Sequence, residues 1–234
     1  MRSKTAQLWY QSPVRVFASC VALALALCAA CGQSTTPTVT TSSSPSSGSD
    51  AVDPSNVARV RTELPAGYEV ADLAERASPL ALWGFGPGWR ADPPQCGAMA
   101  DLVPGAEPVH GWSASGPGGI VYAAVVDTAA ELDPGLVAEC GAWTVSAGHT
   151  SGLVTLVAAP IIERAGTVGM ITDAATVVEG GTETHSRAET FSAYLRGHVA
   201  YVTVVTDPGS ADPGLGPDFA AQLLAKTVSA VRGG

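Results

Sequence analysis

The sequence predicts an α+β domain in which helices pack on one antiparallel sheet. Strand-like apolar runs follow one another with only turns between them, as neighbouring antiparallel strands do. Helix starts recur as a capping residue followed by Pro. No internal repeat is visible, and residues 55–234 are long enough to build a single core.

The first predicted helix begins at Asp53-Pro54. Val57 and Val60 share its apolar face, and Pro65 ends it because proline cannot continue a helix. A short strand is predicted over residues 68–73. The amino-terminal part of the domain therefore starts with a helix followed by a strand.

Two further helix starts precede the first hairpin. Ser78-Pro79 predicts a short helical turn, and Asp92-Pro93 predicts a helix that carries Cys96. Residues 109–115 and 120–127 are strand candidates on either side of a Gly-Pro-Gly-Gly segment. This segment predicts a hairpin whose loop is slightly longer than the tightest type.

The second half is predicted to contain one helix, a series of strands and a final helix. Asp133-Pro134 starts a helix with apolar residues at helical spacing, so that Cys140 faces inward; these residues are Leu136, Val137, Cys140 and either Trp143 or Thr144. The strands are predicted over residues 153–158, 168–178, 184–195 and 198–206. The last helix begins at Pro217-Asp218, and its apolar side contains Phe219, Leu223, Leu224, Val228 and Val231.

Residues 1–30 predict a lipoprotein signal peptide. Arg2, Lys4 and Arg15 precede or flank an apolar run over residues 16–31, VFASCVALALALCAAC, and no acidic residue occurs before residue 31. A basic start followed by a short apolar run is typical of secretory leaders. The run is shorter than the roughly 20 residues of a spanning helix, so an uncleaved membrane helix is the less favoured alternative.

The end of the leader, Ala29-Ala30-Cys31-Gly32, resembles a bacterial lipobox, with Cys28 where that motif prefers Leu. In such proteins the thiol receives diacylglycerol and becomes the mature amino terminus, so we expect a lipid anchor, including palmitate, on Cys31. An ordinary signal-peptidase site is the alternative. Residues 31–54 then form a Ser/Thr/Pro-rich disordered tether, either a plain spacer or an O-glycosylated stalk.

The charge of the chain excludes some partners. Residues 1–30 carry three of the twelve cations and no acid, so their removal lowers the net charge from −9 to about −12. A surface this acidic disfavours nucleic acid and anionic lipid as direct partners. We expect a monomer on the extracytoplasmic face of the cell membrane, held there by its lipid anchor.

Cys96 and Cys140 are the pair left after the leader is removed and Cys31 is acylated. In an oxidising compartment such a pair predicts a disulfide, with two free thiols as the alternative. Its loop would contribute roughly 4 kcal/mol on the chain-entropy model. No His or Cys lies beside either cysteine at metal-ligand spacing, and no C-x-x-C redox motif is present.

The layout resembles that of mycobacterial lipoproteins of unknown function. The segments ADPPQCGAM at residues 91–99 and VAECGAWTVSAG at residues 137–148 are similar to the two halves of a cysteine pair in that group. More loosely, residues 55–234 resemble the extracellular sensor domain of the receptor kinase PknH. The resemblance implies an antiparallel sheet with helices and a surface cleft for an unidentified ligand. It implies no catalytic residues.

Known catalytic motifs are missing from the sequence. Residues 111–115, GWSAS, differ from the G-x-S-x-G hydrolase elbow at the last position. The GFGPG loop has Pro87 where a phosphate-binding loop needs a backbone donor. Asp212 and its neighbours lack calcium-loop spacing, and the histidines lack metal-site spacing: His110, His149, His185 and His198. We expect no enzyme activity, no cofactor and no metal.

Aromatic residues cluster in sequence around the two cysteines. Tryptophans beside a disulfide commonly fill a core, but they also line clefts for glycans or acyl chains. The candidate cleft residues are Trp83, Phe85, Trp89, Trp112 and Trp143.

The favoured hypothesis is a non-enzymatic, sensor-like envelope lipoprotein that binds a small ligand or a protein partner. The alternatives are a hydrolase of unrecognised type that acts on an envelope substrate, and a purely structural interaction module. A hydrolase requires a nucleophile, a base and an orienting group within hydrogen-bond reach. An interaction module requires a large exposed apolar patch.

Overall fold

The computed structural model describes residues 51–73, 78–102, 109–206 and 209–234. These residues lie within one compact unit, Ser46–Gly234. The predicted leader, the Cys31 lipidation site and residues 31–50 of the predicted tether lie outside the described residues. In the described ranges no helix is both long and apolar enough to cross a membrane.

The described residues form nine strands in one fully antiparallel sheet, which confirms the predicted fold class. The strand order is β1-β3-β4-β9-β8-β7-β6-β5-β2. The strands are β1 (Glu69–Asp72), β2 (Arg90–Asp92), β3 (Val109–Gly116), β4 (Gly119–Asp127), β5 (Ala142–Ala147), β6 (Thr150–Val157), β7 (Gly166–Val177), β8 (Glu183–Leu195) and β9 (His198–Thr206).

Five helical segments accompany the sheet in the described ranges. They are the 3-10 helices η1 (Pro54–Glu63) and η2 (Pro94–Met99), and the α-helices α1 (Pro79–Leu82), α2 (Pro134–Glu139) and α3 (Gly216–Val231). Asp53 caps η1 by accepting a hydrogen bond from the Ser55 backbone N–H. The predicted helix starts at Asp53, Ser78 and Asp133 are therefore present, because each side chain accepts a backbone hydrogen bond at a helix start.

Side chains alternate along each strand, so the core is divided between the two faces of the sheet. We call one side the α3 face; its core contains Trp112 and Leu224. The other side is the disulfide face, whose core contains Cys96 and Trp143. Helix α3 packs on β8 and β9, while η1 packs on β3 and β4. The helical cover of the α3 face is therefore concentrated on one half of the sheet.

Two predicted helices differ from the structure. Asp92 does not cap a helix, because it pairs with Thr144 in the β2–β5 ladder, and η2 begins only at Pro94. Helix α2 ends at Glu139, and Trp143 lies in β5 instead of continuing the helix. Trp143 and Val145 alternate with exposed neighbours, and this period of two suits a strand paired with β6.

The hairpin between β3 and β4 is tighter than predicted. Gly116 pairs directly with Gly119, so Pro117 and Gly118 alone form the turn. Gly118 has a φ of 83°, which a side chain would strain. This turn brings β3 and β4 into register over their whole length.

Candidate functional site

The predicted aromatic cleft does not form. Trp83, Phe85 and Trp143 are each at most 3% exposed in the core of the disulfide face. Trp112 is fully buried on the opposite side, the α3 face. Trp89 is partly buried and packs against the disulfide-face core. These side chains are separated by the sheet and fill two cores, because large apolar rings gain most from complete burial.

The indole of Trp83 has a structural role. Its Nε1–H donates to Thr190 Oγ1 at 2.9 Å, and Thr190 shares a second buried hydrogen bond of 2.9 Å with the hydroxyl of Thr203. The ring of Trp83 also lies 6.4 Å from that of Trp143. Helix α1 is thus attached to the centre of the sheet by both packing and hydrogen bonding.

Cys96 and Cys140 form a disulfide in the structure, with a sulfur–sulfur distance of 1.99 Å. Both residues are fully buried on the disulfide face. Cys96 lies in η2, and Cys140 is the residue that ends α2. The bond therefore joins two short helices that pack on the same side of the sheet.

A concave pocket of about 530 Å³ lies on the half of the α3 face that α3 and η1 leave open. We call it the open-face pocket. Strand register explains which side chains meet in it, because residues directly opposite each other in a ladder share a face. One row across five strands contains Thr144, Leu153, Asp173, Arg187 and Thr206.

A second row runs beside the first across four strands. It contains Ser146, Ser151, Ala175 and His185, which are mutually paired in the ladders of β5 to β8. Both rows line the pocket. The pocket thus combines hydroxyl groups and one ion pair with a substantial apolar surface, which includes Leu153, whose side chain is 48% exposed.

Arg187 organises the charges at this pocket. Its Nη1 donates to Asp173 Oδ1 at 2.7 Å, and its Nε donates to Glu189 Oε1 at 3.0 Å. Desolvation opposes the charge on Arg187, but the hydrogen bonds and attraction to the two carboxylates raise its pKa. The guanidinium therefore stays protonated, and its two ion pairs hold its orientation.

Glu189 lies next to the pocket on the same face of β8. Its side chain is only 4% exposed, and its Oε2 has no hydrogen-bond partner in the described part of the chain. Burial raises the pKa of Glu189, because it penalises the carboxylate more than Arg187 stabilises it. The ionised form of this carboxylate therefore destabilises the folded state.

The pocket does not assemble a catalytic triad. Ser151 and His185 lie on β6 and β8, with Ala175 of β7 between them in the ladder. Two strand spacings amount to about 10 Å, which is beyond hydrogen-bond reach. His185 Nε2 lies instead 3.1 Å from Glu183 Oε1. Within the described ranges, no cluster of three His, Cys, Asp or Glu side chains is arranged to hold a metal.

The pocket residues were missed in the sequence because each of them is an ordinary strand residue. A usable pattern exists: Ser146, Ser151, Asp173 and Arg187 are polar residues that alternate with buried or half-buried ones. Alternation predicts which face they share. It does not predict that helices leave this face uncovered.

The sequence of this chain matches one known protein family. A family model described as "Domain of unknown function (DUF5642)" matches residues 53–232, which is more than half of the chain. No curated protein matches the sequence. The resemblance to mycobacterial proteins of unknown function, predicted from the segments around Cys96 and Cys140, is confirmed by this match and by the first of the two structures that follow.

Two solved mycobacterial structures are similar to this one. An uncharacterised protein from Mycobacterium smegmatis, an ortholog of Rv0999, has a TM-score of 0.60 and 22% identity, covering 79% of this chain and 99% of that chain. The extracellular domain of PknH from Mycobacterium tuberculosis has a TM-score of 0.42 and 16% identity, covering 78% of this chain and 92% of that one. The first of these shows a shared fold.

Proposed function

The chain belongs to the family described as a domain of unknown function (DUF5642), and from this premise we propose that it is an exported, lipid-anchored ligand-binding protein. Its domain holds a small molecule in the open-face pocket and does not transform it chemically. The observation that carries this proposal is the pocket itself, a concavity of about 530 Å³ lined by both polar and apolar side chains. This volume lies in the range of small-molecule sites.

The lining of the pocket favours a neutral ligand that carries both hydroxyl groups and apolar surface. Arg187 is already paired with two carboxylates, those of Asp173 and Glu189, so an anionic ligand would find no unmatched cation in the pocket. Atoms of Asp173 and Arg187 that are not used in the ion pair still serve as hydrogen-bond acceptors and donors. The hydroxyls of Ser146, Ser151 and Thr206 can both donate and accept hydrogen bonds. Leu153 adds an apolar contact. A saccharide or a similar polyhydroxylated part of an envelope component has this chemistry.

Export and anchoring are supported by the first thirty residues and the lipobox-like Ala29-Ala30-Cys31-Gly32. Acylation of Cys31 would hold the domain on the extracytoplasmic face of the membrane. A pocket in that position meets envelope components and not cytoplasmic metabolites. The anchor and the pocket are thus consistent with one function, which is capture of a ligand at the envelope.

Native mass spectrometry of the mature protein, extracted from its membrane in detergent, tests the pocket. We expect a non-covalent mass in addition to the acyl modification. Ala175→Trp places a large ring in the pocket and should abolish that extra mass. Val70→Trp is the matched control, because Val70 is 42% exposed on the edge strand β1 and does not line the pocket.

Two results would contradict ligand binding in the pocket. One is an extra mass that persists at full occupancy in the Ala175→Trp variant. The other is a wild-type protein that carries its acyl chains and no additional mass. Circular dichroism of both variants shows whether the sheet is intact, so loss of binding can be separated from loss of folding.

The anchor is tested by the same spectra. We expect a mature mass that lacks residues 1–30 and carries diacylglycerol on Cys31. Cys31→Ser should abolish the modification and release the protein from the membrane fraction, whereas Cys28→Ser should leave both unchanged. Membrane attachment that survives the Cys31→Ser change would refute the proposed anchor.

A further inference from the structure

Glu189 is a buried carboxylate beside the open-face pocket. It lies on β8 two residues after Arg187 and on the same face of the sheet, yet it does not line the pocket. Its side chain is 4% exposed, whereas the side chains of Arg187 and Asp173 are 45% and 59% exposed. Glu189 can therefore affect a ligand in the pocket only through the guanidinium group that it contacts.

The two carboxylates bind different nitrogens of the Arg187 guanidinium. Glu189 Oε1 accepts a hydrogen bond from Nε at 3.0 Å, and Asp173 Oδ1 accepts one from Nη1 at 2.7 Å. No described residue accepts a hydrogen bond from Nη2. Because the three nitrogens lie in one plane, two fixed hydrogen bonds also fix the direction of the third nitrogen. Nη2 is thus left as the donor that Arg187 can offer to a ligand.

The ionised form of Glu189 is unfavourable for the folded protein. Its Oε2 is buried and has no hydrogen-bond partner among the residues that the structure describes. Burial raises the pKa of Glu189, Arg187 opposes this effect, and the negative charge of Asp173 adds to it. Groups that cost stability in this way are common at functional sites, where they hold other groups in place.

The charged surroundings of Glu189 are simple. In the ladders it lies opposite Ile171 of β7 and Val204 of β9, which are both apolar. The ionisation of Glu189 therefore depends on its burial, on Arg187 and on Asp173. The other titratable side chains on β8 and on the described elements that contact it are Glu183, His185 and Tyr194 on β8, His198 and Tyr201 on β9, and Asp218 and Lys226 on α3.

We propose that Glu189 is the positioning residue of the open-face pocket and that its protonation releases the ligand in acid. While Glu189 is ionised, a charge-assisted hydrogen bond holds Nε of Arg187 and keeps Nη2 directed at the ligand. When Glu189 is neutral, this bond weakens and the exposed guanidinium can turn away. The ligand then loses a donor of fixed direction. This inference rests on the proposed ligand binding and adds its regulation.

The direction of the pH dependence follows from the environment of Glu189. Its pKa is raised in the folded protein, so the carboxylate becomes neutral at a higher pH than an ordinary glutamate does. Binding that needs the ionised form is complete above the raised pKa and is lost as pH falls through it. A mildly acidic envelope would therefore empty the pocket.

Calorimetric titration of the full chain with para-nitrophenyl β-glucoside tests the proposal, in a detergent without a sugar headgroup. This probe carries hydroxyl groups and an apolar ring, and it has no group that titrates in the range used. We expect the wild-type affinity to fall about fivefold between about pH 7 and about pH 5. Glu189→Gln should weaken binding about fivefold at pH 7 and abolish the pH dependence, because glutamine resembles the protonated side chain.

Matched variants show which group titrates. Glu69→Gln removes the same formal charge from the exposed strand β1 and should leave the affinity and its pH dependence unchanged. His185→Gln removes an imidazole that lines the pocket, and its affinity should still fall in acid. Asp173→Asn should move the fall to lower pH, because the charge of Asp173 contributes to the raised pKa of Glu189.

Proton–nitrogen NMR reports the position of Arg187 without any ligand. We expect the Nε–H proton of Arg187 to lie downfield of those of exposed arginines at pH 7, because it donates to a carboxylate. The signal should move to the position of the exposed arginines in Glu189→Gln, and in the wild type as pH falls. Arg187→Lys identifies the signal by its loss. A Glu189 that only supported the fold would not produce this shift.

The outcomes separate this inference from the proposed function. Equal glucoside affinity in the wild type and Glu189→Gln, or wild-type binding that is the same at pH 7 and pH 5, refutes the role of Glu189 and leaves the open-face pocket standing. A fall in acid that disappears in His185→Gln also refutes it. A wild type that binds no glucoside at either pH refutes the proposed ligand chemistry together with this inference.

Discussion

Trp83 and Thr190 show what a single buried polar contact contributes in this fold. The indole N–H of Trp83 and the hydroxyls of Thr190 and Thr203 form a chain of hydrogen bonds within the core of the disulfide face. Each group is cut off from water, so each needs the others. Thr190 is the central residue of this chain, because its hydroxyl accepts a hydrogen bond from Trp83 and shares another with Thr203.

We expect Thr190→Val to lower the free energy of unfolding by about 2 kcal/mol, because it leaves the Trp83 N–H buried without an acceptor. Thr203→Val should cost less, since Thr190 still accepts from Trp83. Urea denaturation followed by circular dichroism measures both. Equal losses in the two variants would contradict the central role of Thr190.

Glu189 presents the opposite case, a buried carboxylate that its partner does not fully compensate. Burial raises its pKa, so at neutral pH the ionised form destabilises the folded state. We expect Glu189→Gln to be about 1 kcal/mol more stable than the wild type at pH 7.

The advantage of Glu189→Gln should shrink as pH falls through the raised pKa of Glu189, because the wild-type side chain then becomes neutral as well. Thermal denaturation across a pH series measures this trend. Glu69→Gln removes the same formal charge from the exposed strand β1 and serves as control. An advantage of Glu189→Gln that is independent of pH would show that charge is not the cause.

At the scale of elements, the disulfide joins two helices that are too short to be stable alone. Helix α2 has six residues and so has η2. Helices of this length depend on tertiary contacts. The bond between Cys96 and Cys140, with a sequence separation of 44, restricts the unfolded chain and keeps both helices on the disulfide face.

We expect the double change Cys96→Ala with Cys140→Ala to lower the free energy of unfolding by about 4 kcal/mol. Either single change should cause nearly the same loss, because one alanine already removes the bond. Denaturation of the wild type in reductant provides the control. A loss below about 1 kcal/mol would indicate that packing alone holds the two helices.

Helices and strands whose residues show a clear pattern of their own were predictable from the sequence. Those that form only because another element lies beside them were not. β9 agrees with its prediction at both ends, because residues 198–206 are rich in β-branched and apolar residues. Trp143 was assigned to a helix because its spacing from Cys140 also fits a helix. Strand β2 was missed, since its residues pair only because β5 lies beside them.

The candidate sites were less predictable than the fold. The aromatic residues near the cysteines suggested a cleft, yet the sheet separates Trp112 from Trp83 and Trp143 and buries all three. The open-face pocket depends on where α3 ends its contact with the sheet.

For the whole molecule, the central strands contribute to both cores at once. Tyr201 and Val202 are neighbours on β9, and their side chains enter opposite cores. Removing packing on one face therefore weakens the strands that support the other face. The two cores should unfold together.

We expect Leu224→Ala on the α3 face and Leu80→Ala on the disulfide face each to cost about 3 kcal/mol. Both are at most 1% exposed. In each variant, unfolding curves from far-ultraviolet circular dichroism and tryptophan fluorescence should coincide. Separate transitions for the two probes would show that the cores are independent.

The shortness of the two edge strands limits how molecules that lie close together on one surface can associate. Strand β1 has four residues and β2 has three, and Pro93 follows β2 directly. Short edges that carry charged side chains or end at proline are poor templates for intermolecular β-pairing. Copies of this protein crowded side by side would thus present, at the edges of the described sheet, only short strands from which a cross-β fibre could be seeded.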